Sequence, residues 1–278
     1  AEPPDPDAVV FCNRCRRVMH EKRQYGSGRS TATPSSKLRA YKKLAADRGV
    51  RFELTDGEAV ALMLRNCRYC GRGPPAQGNG ITRLRRGSEP GPGKFMGPYT
   101  TENTAPACAK CNLAKGAHWE QRFVEICRHI ATHMGRGDFG RFPDRFRKNI
   151  SKKSRSSYLT DSKTHALTNA QFREIVEKPC YYCGKESKDG HFNGLDRLDS
   201  TVRVYTTETC VACCSTCNIM KYRWTVVEFV DHCERVARFA PAIPDLAGGE
   251  EDPDGWGEAG EVMIESESEG SEVMIESE

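Results

Sequence analysis

One arrangement of cysteines occurs twice in this chain and restricts its fold more than any other feature. In each copy a C-x2-C pair is followed about thirty to forty residues later by a second C-x2-C pair. The cysteines of the two copies are Cys67, Cys70, Cys108 and Cys111, and then Cys180, Cys183, Cys214 and Cys217. Two such pairs supply the four thiolates of a tetrahedral zinc site. The spacing therefore predicts two structural zinc sites, one in each half of the chain.

The composition is typical of small folded units that a metal stabilises. A hydrophobic content of 37% and a mean hydropathy of −0.65 over 278 residues leave little material for large cores. Twelve of the fourteen cysteines fall into six C-x2-C pairs, which favours zinc over disulfides. We therefore expect a reducing intracellular compartment (nucleus, cytoplasm, viral factory or virion). Because neither a signal peptide nor a membrane-length apolar run is evident, we expect no secretion and no membrane partner.

The net charge of +4 conceals two oppositely charged regions. Residues 245–278 contain 13 acidic residues and no lysine or arginine. This leaves 42 basic against 25 acidic residues in 1–244, a net charge of +17. Such a basic region predicts a nucleic-acid partner, because phosphates provide sequence-independent affinity. We expect this partner to be DNA rather than RNA. A well-solvated basic surface without this partner is the alternative.

The similarity between the two halves extends beyond the cysteines and indicates a tandem duplication. An offset of 106 residues aligns residues 99–102 with residues 205–208. The same offset rejects a competing C-x2-C pair, Cys210 and Cys213, because its counterparts in the first copy are not cysteines. Upstream the offset is larger, which places an inserted loop of the first copy within 85–98. The glycines, prolines and arginines of this loop predict a flexible, basic segment.

The sequence patterns of the two copies predict the same order of secondary-structure elements. Capping boxes at 55–58 and 168–171 each begin a short helix before the first cysteine pair. A β-hairpin follows, and the second cysteine pair begins one long helix, over 111–133 or 217–239. In the hairpin of the second copy, the candidate buried strand positions are Leu195, Leu198, Val202 and Val204.

Four other cysteines receive separate interpretations. Cys127 and Cys233 occupy equivalent positions in the last predicted helices, where packed thiols are typical. Cys12 and Cys15 form a further C-x2-C pair, but two ligands do not complete a zinc shell. This pair is either a partial third zinc site or an unoccupied relic. The candidate residues to complete it are His20, Cys127, His129 and His133.

The predicted organisation has five regions. They are a basic N-terminal segment (1–34), a first zinc domain (35–134), a basic linker (135–157), a second zinc domain (158–240) and an acidic tail (241–278). The linker has eight basic against two acidic residues, so it either follows a phosphate backbone or is simply solvated. The tail is predicted to be disordered.

The tail contains the heptapeptide EVMIESE twice, at 261–267 and 272–278. Its short apolar run beside acidic residues resembles a SUMO-interacting motif, which would add a strand to the sheet edge of a SUMO-like partner. Contacts with basic proteins, or competition with nucleic acid for the basic region of the same chain, are the alternatives.

The second copy reads CYYCGKESKDGHFNGLDRLDS and, after the hairpin, CSTCNIMK. This pattern resembles HNH-type (ββα-metal) endonucleases of the four-cysteine class, including HNH-like proteins of large DNA viruses and phages. The resemblance covers about 60 residues in each copy. It implies an α+β fold of two small zinc-stapled ββα-metal domains, treble-clef-like and in tandem. It also implies one catalytic Mg²⁺ or Mn²⁺ ion beside the hairpin.

Carried over position by position, the resemblance assigns the candidate catalytic residues to the second copy. Asp196 would ligate the catalytic cation together with Asn218. Arg197 stands where the family has its general-base histidine, and a permanently protonated arginine is suited to bind the scissile phosphate instead. His191 is a candidate substitute base, with an exposed hairpin histidine as the alternative. Thr209 replaces the asparagine that orients the base in the family.

The first copy departs further from the family pattern. Thr82 stands at the position of the metal-binding carboxylate and Arg83 at that of the base, although Asn103 and Asn112 are present. Because a hard dication then lacks its best ligand, the first copy is predicted to be non-catalytic. The sequence favours a zinc-stabilised nucleic-acid-binding protein of HNH descent with weak or absent phosphodiester cleavage. An active Mg²⁺-dependent endonuclease, with its site in the second copy, and a structural assembly protein are the alternatives.

Overall fold

The computed structural model describes residues 33–84, 97–158 and 164–242. Several of the predictions above concern residues outside these ranges. They are the partial site at Cys12, Cys15 and His20, the inserted loop at 85–96, and the acidic tail from residue 243 with both heptapeptides.

The first repeat combines short helices with one β-hairpin. Its helices are α1 (Pro34–Asp47), α2 (Asp56–Met63), α3 (Ala109–Lys115) and α4 (Glu120–His133). Its strands are β1 (Gly80–Arg83) and β2 (Thr104–Ala107). The two strands pair antiparallel, with Gly80 opposite Ala107 and Arg83 opposite Thr104. A parallel bridge between Phe52 and Tyr99 extends the hairpin.

The second repeat has the same plan. Its elements are β3 (Thr164–His165), α5 (Asn169–Val176), β4 (Gly194–Arg197), β5 (Val204–Tyr205), β6 (Cys210–Cys213), α6 (Ser215–Lys221) and α7 (Val226–Phe239). Strands β4 and β6 form the antiparallel hairpin, and β3 pairs parallel with β5. The His165–Tyr205 pair of this parallel ladder corresponds to the Phe52–Tyr99 bridge of the first repeat. The described residues thus form an α+β fold, as predicted.

Both predicted capping boxes begin a helix. The hydroxyl of Thr55 accepts from the backbone N–H of Glu58, and the hydroxyl of Thr168 accepts from that of Gln171. In return, the Glu58 and Gln171 side chains accept from the backbone N–H of their threonine partners. These bonds satisfy two otherwise unpaired donors at each helix start. They explain why α2 and α5 begin at equivalent positions.

The prediction of one long helix after the second cysteine pair is wrong in both repeats. The chain leaves α3 at Gly116 (φ +49°) and leaves α6 at Tyr222 (φ +53°), a backbone conformation that ends a right-handed helix. A second helix then starts, α4 or α7, and Thr225 with Glu228 forms a capping box at the start of α7. In each repeat the break separates the helix that begins at the second cysteine pair from the last helix.

Three apolar clusters stabilise the described residues. One cluster belongs to the first repeat and includes Leu54, Met63 and Ile81, and a second belongs to the second repeat and includes Phe172 and Leu195. The third cluster is shared by both repeats. It contains residues of α4 and α7 and most of the cysteines of the two predicted zinc sites. The two repeats therefore share a common core around their cysteine groups.

The predicted strand positions of the second hairpin are only partly buried. Leu195 is buried, whereas Leu198 and Val204 are half-buried. Val202 is exposed, so its prediction as a buried strand residue is wrong. Its N–H donates to the carbonyl of Asp199 in a turn between β4 and β5, where the alternation of a strand does not apply.

The basic linker is ordered against both repeats. Phe146 is buried in the shared core, and its carbonyl accepts from Lys185 at 2.9 Å. The side chain of Arg145 pairs with Glu125 of α4. Further along, the backbone N–H of Asn149 donates to His191 at 2.8 Å. The linker is therefore fixed by specific contacts on the surface of the protein rather than surrounded by solvent alone.

Candidate metal centres

The first four-cysteine frame closes into a compact sulfur cluster. Its sulfur atoms all lie within 4.8 Å of one another, and the Sγ atoms of Cys70 and Cys108 are 3.6 Å apart. Tetrahedral zinc with Zn–S bonds of about 2.3 Å requires sulfurs about 3.8 Å apart. The arrangement of Cys67, Cys70, Cys108 and Cys111 therefore fits a structural zinc ion.

The second frame has the same geometry. Its sulfurs, from Cys180, Cys183, Cys214 and Cys217, also lie within 4.8 Å of one another. Cys183 and Cys214 are separated by 3.7 Å between their Sγ atoms. In both frames the first cysteine of the second pair caps the following helix. Cys108 and Cys214 each accept the N–H of the residue three positions on, at 3.5 Å.

Burial and mutual hydrogen bonding show why these thiols need a cation. The hydrogen bond from Cys108 is the main cause that lowers the pKa of Cys67, and the hydrogen bond to Cys108 raises the pKa of Cys111. Four sulfurs this close do not all ionise without a compensating charge, and a zinc ion bound by the four cysteines would provide that charge. The competing pair Cys210 and Cys213 belongs to neither cluster.

The knuckles that carry the first cysteine pairs depend on glycine. Gly71 and Gly184 follow the second cysteine with φ of +66° and +71°, the left-handed conformation that glycine adopts without steric cost. Their N–H groups donate back to the carbonyls of Cys67 and Cys180, at 3.0 and 2.8 Å. This closed turn brings the two thiolates of each pair to one side.

An Asn-Gly dipeptide at the start of each hairpin has a positioning role. Asn193 donates through Nδ2 to the carbonyls of Lys178 and Lys185, which flank the second knuckle. Asn79 donates in the same way to the carbonyl of Arg65 at 2.8 Å. The asparagines therefore hold the knuckle against the hairpin, a role that was not predicted from the sequence.

The glycine of the dipeptide makes room for a tyrosine hydroxyl. A Cβ atom on Gly80 would lie 2.7 Å from the Tyr41 oxygen, and one on Gly194 would overlap the Tyr158 oxygen. These hydroxyls accept the N–H groups of Ile81 and Leu195 at 3.1 and 3.0 Å. The Asn-Gly pattern is thus explained by hairpin packing in both repeats.

Asp196, the proposed ligand of a catalytic cation, is committed to a buried polar network. The hydroxyl of Tyr182 donates to Asp196 Oδ2 at 2.6 Å. The ammonium of Lys221 lies 3.0 Å from the same oxygen, and the Lys221 side chain has no solvent exposure. Lys221 also donates to the carbonyl of Arg197 at 2.8 Å and to Ser200 at 3.3 Å. A lysine cation therefore neutralises the carboxylate.

Burial and pairing act on Asp196 in opposite directions. Desolvation is the dominant cause and raises the pKa of this carboxyl, while the Lys221 ammonium lowers it. The Lys221 ammonium therefore compensates for the desolvation cost of burying the negative charge of this carboxylate. Tyr182 and Lys221 were not among the predicted site residues, although Lys221 ends the quoted segment CSTCNIMK and recurs in the first repeat as Lys115.

Asn218 and Arg197, two other candidate catalytic residues, have surroundings that differ from that of the Asp196 carboxylate. Asn218 is exposed on α6, whereas the Asp196 carboxylate is buried. Arg197 donates to the carbonyl of Val202 at 2.7 Å and lies over the Tyr205 ring at 5.4 Å. Both contacts hold the arginine within its own hairpin.

His191 and Thr209 have structural partners. His191 is buried, so its alternative interpretation as an exposed hairpin histidine is wrong. Its Nδ1 accepts the N–H of Asn149, which leaves Nε2–H to donate to Asn193 at 3.0 Å. Burial lowers the pKa of His191. Thr209 donates its hydroxyl proton to the carbonyl of Val204 at 2.8 Å within a turn.

The first repeat retains the scaffold of this site without the carboxylate. Thr82 is buried in β1. Arg83 lies 4.5 Å from the centre of the Tyr99 ring and donates to the carbonyl of Gly97, which parallels the contacts of Arg197. Asn103 donates to the carbonyl of Pro98 at 2.8 Å. Asn112 is half-buried on α3.

Within the described ranges, two of the residues considered for a third zinc site, Cys127 and His129, have other roles. Cys127 and Cys233 are fully buried in α4 and α7, as predicted for packed thiols. His129 accepts the N–H of Phe142 at 2.7 Å and its Nε2 contacts the carbonyl of Cys183 at 3.0 Å. Both ring nitrogens of His129 are therefore engaged, and neither is available as a metal ligand.

The described fold and sites define an α+β protein with two four-cysteine groups suited to structural zinc. No helix within the described ranges combines the length and apolar character needed to cross a membrane. No family model and no solved structure matches the chain. Over 226 residues it is 30% identical to a protein of Acanthamoeba polyphaga mimivirus described as "Uncharacterized protein R423". The match covers 80% of this chain, which spans about two fifths (41%) of the mimivirus protein.

Proposed function

We propose that this chain is a zinc-stabilised nucleic-acid-binding protein of HNH endonuclease descent that does not cleave phosphodiesters efficiently. The observation that carries nucleic-acid binding is the net charge of +17 on residues 1–244. A charge excess of this size attracts a polyanion and gains affinity by releasing its condensed counterions. The zinc sites provide the rigid scaffold on which these charges are displayed.

Among the residues that the structure describes, the linker is the segment best suited to contact the phosphates. Phe146 and Asn149 anchor it to the second repeat. The lysines around these anchors, Lys148, Lys152 and Lys153, are exposed. Because the backbone is held in place, less conformational entropy is lost when these side chains meet a phosphate backbone. Duplex DNA is the proposed partner, with RNA as an outcome of the test.

The Asp196–Lys221 pair supports binding without efficient cleavage. A catalytic Mg²⁺ or Mn²⁺ would have to displace the Lys221 ammonium from a carboxylate that is itself buried. The general-base position holds Arg197, which stays protonated. The endonuclease alternative therefore requires a rearrangement of this network when nucleic acid binds.

The first experiment measures binding of the full chain to duplex DNA, single-stranded DNA and RNA of equal length over a range of salt concentrations. We expect tightest binding to the duplex and a steep loss of affinity with salt. The variant Lys148→Glu/Lys152→Glu/Lys153→Glu should bind at least about tenfold more weakly, with a shallower salt dependence. Affinity that is independent of salt would contradict the proposal.

The matched control is Lys42→Glu/Lys43→Glu/Arg39→Glu on α1, which changes the net charge equally. Lys42 and Lys43 already pair with Asp56 and Asp47, so this variant should lose less affinity than the linker variant. Equal losses in the two variants would show that only the total charge matters.

The same preparations test cleavage with Mg²⁺ and Mn²⁺ on duplex, branched and single-stranded substrates. We expect no product above the metal-free background. Cleavage that requires the metal and disappears in Asp196→Asn, with nucleic-acid affinity unchanged, would establish the endonuclease alternative instead.

A further inference from the structure

The last helix of each repeat covers the zinc knuckle of the other repeat. Arg235 of α7 donates through Nε to the carbonyl of Cys70 at 2.7 Å. His129 of α4 contacts the carbonyl of Cys183 at 3.0 Å through Nε2. The offset of 106 relates His129 to Arg235, and the offset of 113 relates Cys70 to Cys183. The same contact is therefore made twice, in opposite directions.

A second pair of contacts follows the same reciprocal pattern. A Cβ atom on Gly71 would lie 2.9 Å from the Phe239 ring, and one on Gly184 would lie 2.9 Å from the His133 ring. His133 and Phe239 are again related by the offset of 106. Each knuckle glycine thus faces a ring from the other repeat, which approaches as closely as a glycine allows.

One contact between the repeats breaks this symmetry. His232 of α7 is buried, and its Nε2 lies 3.4 Å from Sγ of Cys111, a cysteine of the first zinc site. Its Nδ1 has no hydrogen-bond partner among the described residues. The single proton of a neutral ring is therefore best placed on Nε2, where it points to the sulfur. Ile126 occupies the equivalent position in α4 and has no donor.

We propose that the two zinc sites form one coupled unit, in which His232 of the second repeat donates a hydrogen bond to the Cys111 thiolate of the first site. The helix α7 follows directly on α6, which contains Cys217. Loss of the second zinc frees α6 and α7, and with them His232 and Arg235. The first site then loses both a donor to its thiolate and a cover for its knuckle. This coupling concerns zinc retention and does not depend on nucleic-acid binding.

Removal of the second site tests the coupling. In full-length Cys214→Ser/Cys217→Ser, we expect the remaining zinc to leave the first site roughly ten times faster or more in the presence of a chelator. Complete loss of zinc from the first site in this variant would support the coupling more strongly. Cys210→Thr is the matched control, because it replaces a buried cysteine outside both clusters by the residue of the first repeat. It should retain two zinc ions with unchanged release.

Replacement of His232 tests the proposed hydrogen bond. His232→Phe keeps a ring beside Trp224, which lies 5.1 Å away between ring centres, but removes the donor. We expect one of the two zinc ions to be released roughly 10- to 100-fold faster, since hydrogen bonds to metal ligands tune affinity to this extent. In the cobalt-substituted protein, the thiolate charge-transfer absorption of one site should shift.

Two further variants separate the hydrogen bond from packing. His232→Gln keeps an N–H donor and should recover part of the lost zinc retention, whereas Ile126→Val at the equivalent position should leave the cobalt spectrum unchanged. Unaltered zinc release in both the second-site variant and His232→Phe would overturn the proposal. Equal effects of His232→Phe and His232→Gln would overturn the assignment of the hydrogen bond.

Discussion

The two repeats share a scaffold and differ at the centre of their hairpins. In the second repeat, Asp196 accepts from the hydroxyl of Tyr182 at 2.6 Å and pairs with Lys221 at 3.0 Å. In the first repeat, Thr82 replaces the aspartate. The equivalent lysine, Lys115, remains buried. The hydroxyl of the equivalent tyrosine, Tyr69, is buried without a hydrogen-bond partner among the described residues.

This difference teaches what the retained aspartate does. The lysine and the tyrosine are present in both repeats, whereas the carboxylate is present in one. In the second repeat the carboxylate satisfies both neighbours, so a buried polar network is sufficient to explain its presence. The resemblance to HNH-type enzymes implies a metal cation beside Asp196, whereas in the structure the cation at this carboxylate is the Lys221 ammonium.

The largest effect is expected when the network of the second repeat is broken. Asp196→Ala leaves the Lys221 ammonium buried without its counter-charge and should lower the free energy of unfolding by about 3–5 kcal/mol. Thr82→Ala in the first repeat removes no charge and should cost about 1 kcal/mol. Denaturant unfolding of the zinc-loaded proteins measures both values. Equal losses in the two repeats would mean that the ion pair is not what stabilises the second hairpin.

The control for this prediction removes both charges together. Asp196→Leu/Lys221→Met replaces the pair by apolar side chains of similar size, and such replacements are often neutral. We therefore expect the double variant to recover more than half of the stability that Asp196→Ala loses. A double variant as unstable as the single one would instead attribute the loss to the Tyr182 hydroxyl or to packing.

The metal frames and the helix starts could be predicted from the sequence because they depend on local patterns. C-x2-C spacing fixes thiolate positions, and Thr-x-x-Glu boxes fix a helix start within one turn. The break in the long helix was missed because Tyr222 adopts a positive φ that its residue type does not indicate. Thr225 and Glu228 did carry a signal, since they form a further capping box inside the predicted helix.

The environment of the candidate catalytic residues could not be predicted, because it depends on contacts distant in sequence. Asp196 meets Lys221, which is 25 residues away, and His191 meets Asn149, which is 42 residues away. The exchange of last helices between the repeats also joins residues far apart, as in the contact of Arg235 with Cys70 across 165 residues. Motifs assign residue types to positions, but burial and pairing decide what those residues do.

A smaller effect is expected when the first repeat receives the residue of the second. Thr82→Asp places a carboxylate where the Tyr69 hydroxyl lacks an acceptor, and we expect it to raise the free energy of unfolding by about 1 kcal/mol. Thr82→Asn introduces a side chain of nearly the same shape as aspartate but without its charge, so it should raise the free energy of unfolding by less. A destabilised Thr82→Asp protein would show that the first hairpin has lost the space or the polarity of the second site.

The smallest effect concerns a histidine that the first repeat lacks. In the second repeat, His191 donates to the Oδ1 atom of Asn193. In the first repeat, Gln77 occupies the position of the histidine. The Oδ1 atom of Asn79, the equivalent of Asn193, has no hydrogen-bond partner among the described residues. Burial lowers the pKa of His191 below its ordinary value of 6.5, so the unfolded chain binds a proton more readily than the folded protein. The stability from neutral His191 is present above pH 6.5 and is lost as the pH falls below this value.

His191→Gln converts this position to the residue of the first repeat and should remove that pH dependence. Denaturant unfolding of both proteins, with zinc in excess, should give a difference in stability that shrinks as the pH is lowered from about 7.5 to 5.5. The difference should change by no more than about 1.4 kcal/mol per pH unit, the limit for one proton. Protonation of the zinc thiolates affects both proteins alike and cancels in the comparison. A constant difference over this range would mean that His191 is protonated as easily in the folded protein as in the unfolded chain, and that its role is limited to the hydrogen bond with Asn193.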